Sequence, residues 1–149
     1  MKMCIYIDSK SMGGIETHIS QLISGLLENT DYNIDLLFWN SYTQQDRSKH
    51  PLIIKLQQID SNKRCRYLSA NGNLFTLFKY FQQVTTLVHT HGYKAGITAR
   101  IVGALTGTPV VSTYHNGDPG IGKLKLYNMV DKLTSFLSIN IAVNDIISA

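Results

Sequence analysis

The chain has 149 residues, 44% hydrophobic and 16% charged, with a formal net charge of +4 and a sequence pI of about 9.1. Length and balance describe one globular domain with a real core and exclude a disordered chain. No apolar run reaches the roughly 18 residues a membrane span needs, and so small a charge favours anionic partners mildly without indicating nucleic acid.

Met3-Cys4-Ile5-Tyr6-Ile7-Asp8 reads as a first strand. Ile15, Ile19, Leu22, Ile23 and Leu26 recur at helical spacing and predict a helix over 15–27. Between them lies Ser9-Lys10-Ser11-Met12-Gly13-Gly14, a glycine turn whose backbone can approach a ligand unobstructed. Unpaired amides at the helix start suit a phosphate, although Glu16 in the first turn weakens that argument unless it points away. Residues 33–39 read as strand two, and the polar stretch 41–50 as a loop. Leu52, Ile53, Leu56 and Ile59 fit a short helix. Residues 64–68 alternate like an edge strand, and Asn71-Gly72 signals a turn. Leu74, Leu77, Phe78 and Phe81 form a helical stripe, and residues 86–90 read as strand four. The helix predicted over 93–105 is rich in small residues (Ala95, Gly96, Ala99, Gly103, Ala104) that permit close packing on a sheet. Gly107 caps it, and Pro109 leads into strand five, 110–114. A helix over 122–137 and strand six over 139–143 follow. Asn144-Asp145 has the character of a further helix cap. Cys4 and Cys65 lack metal-ligand spacing and predict buried thiols in a reduced, cytoplasmic setting.

Strands alternating with helices predict an α/β domain: a doubly wound, mostly parallel, Rossmann-like sheet ordered 3-2-1-4-5-6. Ligands bind such sheets beyond the carboxyl ends of the strands, near the switch between strands one and four. That selects three loops, 9–14, 91–94 and 115–120. A dinucleotide oxidoreductase is excluded: no G-x-G-x-x-G follows strand one, and strand two ends in Trp39-Asn40 with no acid for a ribose. There is no phosphate-binding G-x-x-x-x-G-K-[ST] loop, no G-x-S-x-G elbow and no Asp-x-Asp pair. His89 and His91, two apart on a strand, share one face and could ligate a metal, but no third ligand is evident. The plainer reading makes His89 a hydrogen-bonded residue within the strand and His91 the residue at its end.

Three motifs, G-G-I-E-T-H at the first helix, V-H-T-H-G-Y-K-A-G at strand four and G-T-P-V-V-S-T-Y-H-N-G at strand five, occur in order. Together they resemble the amino-terminal domain of family 4 (group 1) GT-B glycosyltransferases, across essentially the whole chain. The resemblance implies a retaining, metal-independent transfer of a sugar from a nucleotide-sugar to a glycan or lipid-linked acceptor, in cell-surface polysaccharide or glycolipid synthesis. It implies no cofactor, the nucleotide-sugar being a co-substrate. Residues 1–149 would be the acceptor-side domain, with a donor-binding carboxy-terminal domain missing, so that the chain alone is expected to be inactive. Gly13 and Gly14 would approach the donor diphosphate. His115 would stand at the transferred sugar as the catalytic residue. His18, Tyr93, Lys94 and Asn116 would border the acceptor, although Asn116 and Asp118 also suit a simple turn. The helix over 122–137 carries Lys123, Lys125 and Lys132 beside Leu124, Leu126, Met129, Val130 and Leu133. It reads either as a core-facing helix with a solvated side or as a basic face for contact with the inner surface of a membrane. The alternatives to an enzyme are a non-catalytic Rossmann-like module binding nucleotide or phosphate, and a protein-interaction domain.

Overall fold

β1 (Lys2–Ile7) carries apolar side chains on both faces because both faces are covered: Met3, Ile5 and Ile7 enter one core, Cys4 and Tyr6 the other. The computed structural model of the chain describes residues 1–9, 12–40, 48–84, 87–115 and 121–142. After β1 come α1 (Gly14–Asn29), β2 (Asn33–Phe38), α2 (Pro51–Ile59), β3 (Cys65–Ser69) and α3 (Leu74–Val84). The second half runs through β4 (Val88–His91), α4 (Tyr93–Thr106), β5 (Val110–Tyr114), α5 (Lys123–Thr134), a 3-10 turn (Ser135–Leu137) and β6 (Ile139–Ala142). All strand pairs are parallel, in the order β3-β2-β1-β4-β5-β6. This is the doubly wound, Rossmann-like sheet that the alternation predicts.

Two cores follow from the pleat. Ile5, Ile7, Leu36 and Phe38 pack with Ile19 and Ile23 of α1 and Leu52 and Leu56 of α2. On the opposite face Tyr6, Leu37 and Val88 pack with Leu77 and Phe81 of α3 and Ala95, Ala99 and Val102 of α4. Each large side chain removed from water contributes about 1.5–3 kcal/mol. The small residues of α4 do what their size predicts. A Cβ on Gly103 would stand 2.6 Å from Val110 Cγ2 and 2.8 Å from the Thr108 carbonyl oxygen. Gly107 ends the helix at φ 71°, the left-handed cap that glycine adopts without strain. Asp35, buried in β2, ties the sheet laterally. Arg66 in the neighbouring register position donates to both of its oxygens at 2.8 and 2.7 Å, and the Tyr80 hydroxyl donates at 2.5 Å. Burial alone would raise this carboxyl; the hydrogen bonds from Arg66 and Tyr80 prevail and hold it below the usual carboxylate range. Cys4 is buried and Cys65 half-buried, and burial pushes both thiols upward, Cys65 to about 12.

Some boundaries differ. β4 runs from Val88 through His91, which places His91 inside the ladder opposite Ile7 and Thr113. The last predicted helix is interrupted: α5 ends at Thr134 and a 3-10 turn follows. Leu74 belongs to the predicted apolar stripe of α3 but is exposed. The reading of α5 as a helix with a core-facing apolar side is overturned. Its buried residue is Asp131, while Leu126, Met129 and Leu133 are exposed at 57%, 53% and 64%. The reason is that α4 presents a buried arginine, not an apolar groove, to α5. β6 is likewise exposed along its length. The residues of the predicted cap at 144–145, the end of strand six at 143, most of the 41–50 loop and the loop 116–120, including Asn116 and Asp118, lie outside the described residues.

Candidate active site

Parallel strands bring their carboxyl ends to one edge, and at the β1/β4 switch the connections diverge to opposite faces, opening a crevice. Four of the chain's five histidines meet there. The register sets His89 beside Ile5 and His91 beside Ile7, so both point to the α1 side of the sheet. Their rings lie 4.5 Å apart. His18 on α1 approaches His91 at 5.6 Å and His115 at 5.2 Å between centroids. His115, immediately after β5, closes the group: its Nε2 lies 2.8 Å from His91 Nδ1. His89 Nε2 lies 2.7 Å from the Thr113 hydroxyl, the hydrogen-bonded strand residue of the plainer reading.

Burial is the main electrostatic fact. Removing an imidazolium from water is costly, so burial holds His91 down to about 2 and His89 to about 4, with neighbouring histidines adding to the effect. His115, half-buried, is lowered for the same reasons, with Glu16 opposing. His89, His91 and His115 are therefore biased toward neutral rings that offer hydrogen bonds without charge. Among the described residues no group of three or more His, Cys, Asp or Glu is placed to hold a metal ion.

His115 also faces the other side of the sheet edge. There it lines a cavity of about 300 Å³ between α4, α5 and the ends of β4 and β5, with Asp8, Tyr93, Lys94, Tyr114 and Tyr127. Lys94 lies 3.8 Å from Asp8 Oδ2 and 6.0 Å from the centre of the Tyr127 ring. Asn40 Nδ2 donates to the other Asp8 oxygen at 2.9 Å. The floor is built by Arg100, 1% exposed. It donates from Nε to the Gly96 carbonyl at 3.1 Å, from one terminal nitrogen to the Asp131 carbonyl at 2.6 Å and Thr134 hydroxyl at 3.0 Å, and from the other to the Asp131 carboxylate. Its guanidinium lies 5.7 Å from the Tyr114 ring centre. This ion pair pins α5 to α4 and so sets the cavity's width.

The glycines behave differently from the sequence reading. Gly13 has an extended backbone (φ −157°) and neither it nor Gly14 has positive φ, so no tight turn requires them. A Cβ on Gly14 would meet nothing within 4 Å, so Gly14 leaves open space at the start of α1. Glu16 does not point away. Its Oε2 folds back to 3.1 Å from where a Gly13 Cβ would stand, placing negative charge at the α1 terminus and opposing anion capture there.

Thus His18 and His115 are brought together, Tyr93 and Lys94 line the same cavity as His115, and Gly13 and Gly14 start α1. Sequence reasoning missed Asp8, the Arg100–Asp131 pair, Tyr127 and the His91–His115 contact. Asp8 had a signal, an acid directly after strand one. Arg100 sat among small residues of a buried helix and called for a counter-ion. The other two depend on which elements the fold sets side by side.

This is a Rossmann-like domain with a crevice at its switch point. The model of glycosyltransferase family 4 matches residues 12–143, and the chain belongs to that family. No curated protein sequence matches the chain. Among solved structures it is similar to HepE of Anabaena, crystallised in complex with UDP, with a TM-score of 0.68 and 12% identity over 95% of this chain. It is also similar to a dodecameric FMN-dependent UbiX-like decarboxylase of Escherichia coli, with a TM-score of 0.55 and 10% identity over 95% of this chain and 79% of that one. At such identities both likenesses concern the fold. The chain spans 37% of the HepE chain. Among the described residues no helix is long and apolar enough to cross a membrane.

Proposed function

We propose that this chain is the acceptor-side domain of a retaining glycosyltransferase that moves a sugar from a nucleotide-sugar to a glycan or lipid-linked acceptor. The observation that carries the reading is the position of His115. In a domain of a glycosyltransferase family, a neutral imidazole stands at the switch-point edge, with an aromatic-lined cavity on one side and three more imidazoles on the other. In this reading His115 hydrogen-bonds the transferred sugar, and the bond strengthens as charge develops at the reacting carbon. Tyr93 and Lys94 border the acceptor in the cavity, and His18 flanks His115 from α1. Asn116, the next residue in sequence, borders the acceptor as the family resemblance implies. The exposed Gly13-Gly14 backbone approaches the donor diphosphate by virtue of open space rather than by anion capture, since Glu16 occupies the helix terminus. The nucleotide itself is held by a second domain outside these 149 residues, and transfer is metal-independent, as the family resemblance implies. The UDP bound by HepE supports a nucleotide-sugar as donor. The exposed apolar side chains of α5, with Lys123, Lys125 and Lys132, support a lipid-linked acceptor met at the cytoplasmic face of a membrane during cell-surface polysaccharide synthesis.

The test is His115→Ala in the full-length transferase, with turnover and melting temperature measured on one preparation. Loss of a transition-state contact worth a few kcal/mol lowers turnover about a hundredfold or more. A folded variant with near-normal turnover removes His115 from the reacting centre. A lower melting temperature with turnover per folded molecule intact makes it a structural residue only.

A further inference from the structure

The contact between His91 and His115 assigns a role to a residue that the functional reading above does not use. We propose that His91 is a positioning residue: it donates from Nδ1 to Nε2 of His115 and thereby fixes the His115 proton on Nδ1, so that the atom offered to a ligand is a hydrogen-bond donor. The proposal rests on His115 being the ligand-facing imidazole and specifies which of its nitrogens works.

Two ring nitrogens 2.8 Å apart require one proton and one lone pair between them. Two arrangements of neutral rings satisfy this. In one, His91 is protonated on Nδ1 and His115 on Nδ1. In the other, both rings carry their proton on Nε2. The difference lies at the far nitrogen of His91. His91 is 1% exposed, and its Nε2 has no hydrogen-bond partner among the described residues. The ring is hemmed in by His89 at 4.5 Å and His18 at 5.6 Å between centroids. Accepting at Nδ1 would place a proton on this buried Nε2 and strand an N–H without an acceptor, the rarer kind of orphan in folded proteins. Donating from Nδ1 leaves only a ring lone pair there. Free imidazole has a modest preference for Nε2 protonation; it opposes this choice and is the smaller effect. Burial keeps His91 neutral, and His115 is biased the same way.

Two consequences follow. The Nε2 atom of His115 is occupied and cannot serve as a base. Nor can His115 accept a second proton there while His91 donates to it, so its charging requires His91 to change tautomer. His115 therefore works as a fixed neutral donor, suited to a sugar hydroxyl or phosphate oxygen.

The proposal is tested by nitrogen NMR of the isotope-labelled protein at neutral pH. The expected spectrum has a protonated, pyrrole-type Nδ1 and a lone-pair, pyridine-type Nε2 on His115. It also has a through-hydrogen-bond coupling between that Nε2 and His91 Nδ1. His91→Phe should lose the coupling and leave His115 averaging between its tautomers. His91→Asn, whose amide nitrogen falls near the Nδ1 position, should restore the Nδ1-protonated form. A native spectrum with His115 protonated on Nε2 overturns the proposal, as does a His115 spectrum unchanged by His91→Phe. If His91→Phe does not fold, the native spectrum decides alone. No sugar transfer is measured, so this result stands apart from success or failure of the transferase reading.

Discussion

Lowering the pH from 7.5 to 5 should destabilise this fold through its buried histidines. His89 and His91 are held at about 4 and about 2 in the folded protein, against 6.5 for an ordinary imidazole. Their folded values lie below the unfolded value, so the unfolded chain binds protons that the folded chain refuses once the pH passes below 6.5. Stability is therefore full above that pH and falls as the pH drops, down to about 4 for His89 and about 2 for His91. Each group contributes a slope of about 1.4 kcal/mol per pH unit, so at pH 5 each costs about 2 kcal/mol and the pair about 4 kcal/mol. For a chain of this length that lowers the melting temperature by roughly 8–16 °C. Burial pulls His50 and His115 in the same direction and Glu16 pulls both in the other. Burial raises the Asp131 carboxyl, whereas the hydrogen bonds from Arg66 and Tyr80 hold Asp35 low, so a variant without His89 and His91 serves as the control for the carboxylates. The assay is urea unfolding at half-unit pH intervals, on the native protein and on a His89→Gln, His91→Asn variant. The native protein should lose stability steeply below pH 6.5 and the variant much less. A native profile flat to within about 1 kcal/mol from pH 7.5 to 5 would refute the reasoning, because it would mean that the two rings are solvated or charged when folded.

Asp131→Asn leaves the Arg100 charge buried against a neutral amide and should cost about 3–5 kcal/mol, read as a fall in the urea midpoint. Replacing both partners, Arg100→Met with Asp131→Leu, should recover most of that loss. If the single variant is as stable as the native protein, the pair does not hold α5 against α4. Gly103→Ala drives a methyl into Val110 and the Thr108 carbonyl and should cost about 1–3 kcal/mol. Gly14→Ala, where nothing stands within 4 Å, should leave the melting temperature within a degree or two. Equal effects at the two glycines would count against the packing seen at α4.

The strand order was legible because the pattern obeys local rules. Apolar runs such as Ile34 to Phe38 alternate with amphipathic helices, and right-handed crossovers leave few topologies open. The close packing of α4 was legible in its small residues, and the cap at Gly107 in its chemistry. The site was legible only to the level of loops. The switch-point rule put His115 and Tyr93 in loops at the carboxyl edge of the sheet, and only the family resemblance put His18 beside them. Three things were decided by tertiary structure. The sense in which α5 lies against α4 depends on Arg100 finding Asp131 thirty-one positions later, which no helical periodicity reports. Gly13 and Gly14 proved extended or helical because the turn signal in a glycine pair is permissive, and what Glu16 does beside them is a matter of side-chain direction. The joining of His91 to His115 follows from β4 and β5 pairing in register, His91 opposite Thr113, so that the residue after β5 reaches back across the edge. Sequence alone determined the kind and order of the strands and helices, though not every boundary, because propensity and periodicity are local. Which nitrogen of which histidine meets which neighbour was left to the fold, because register and burial are set by contacts between segments far apart in the chain.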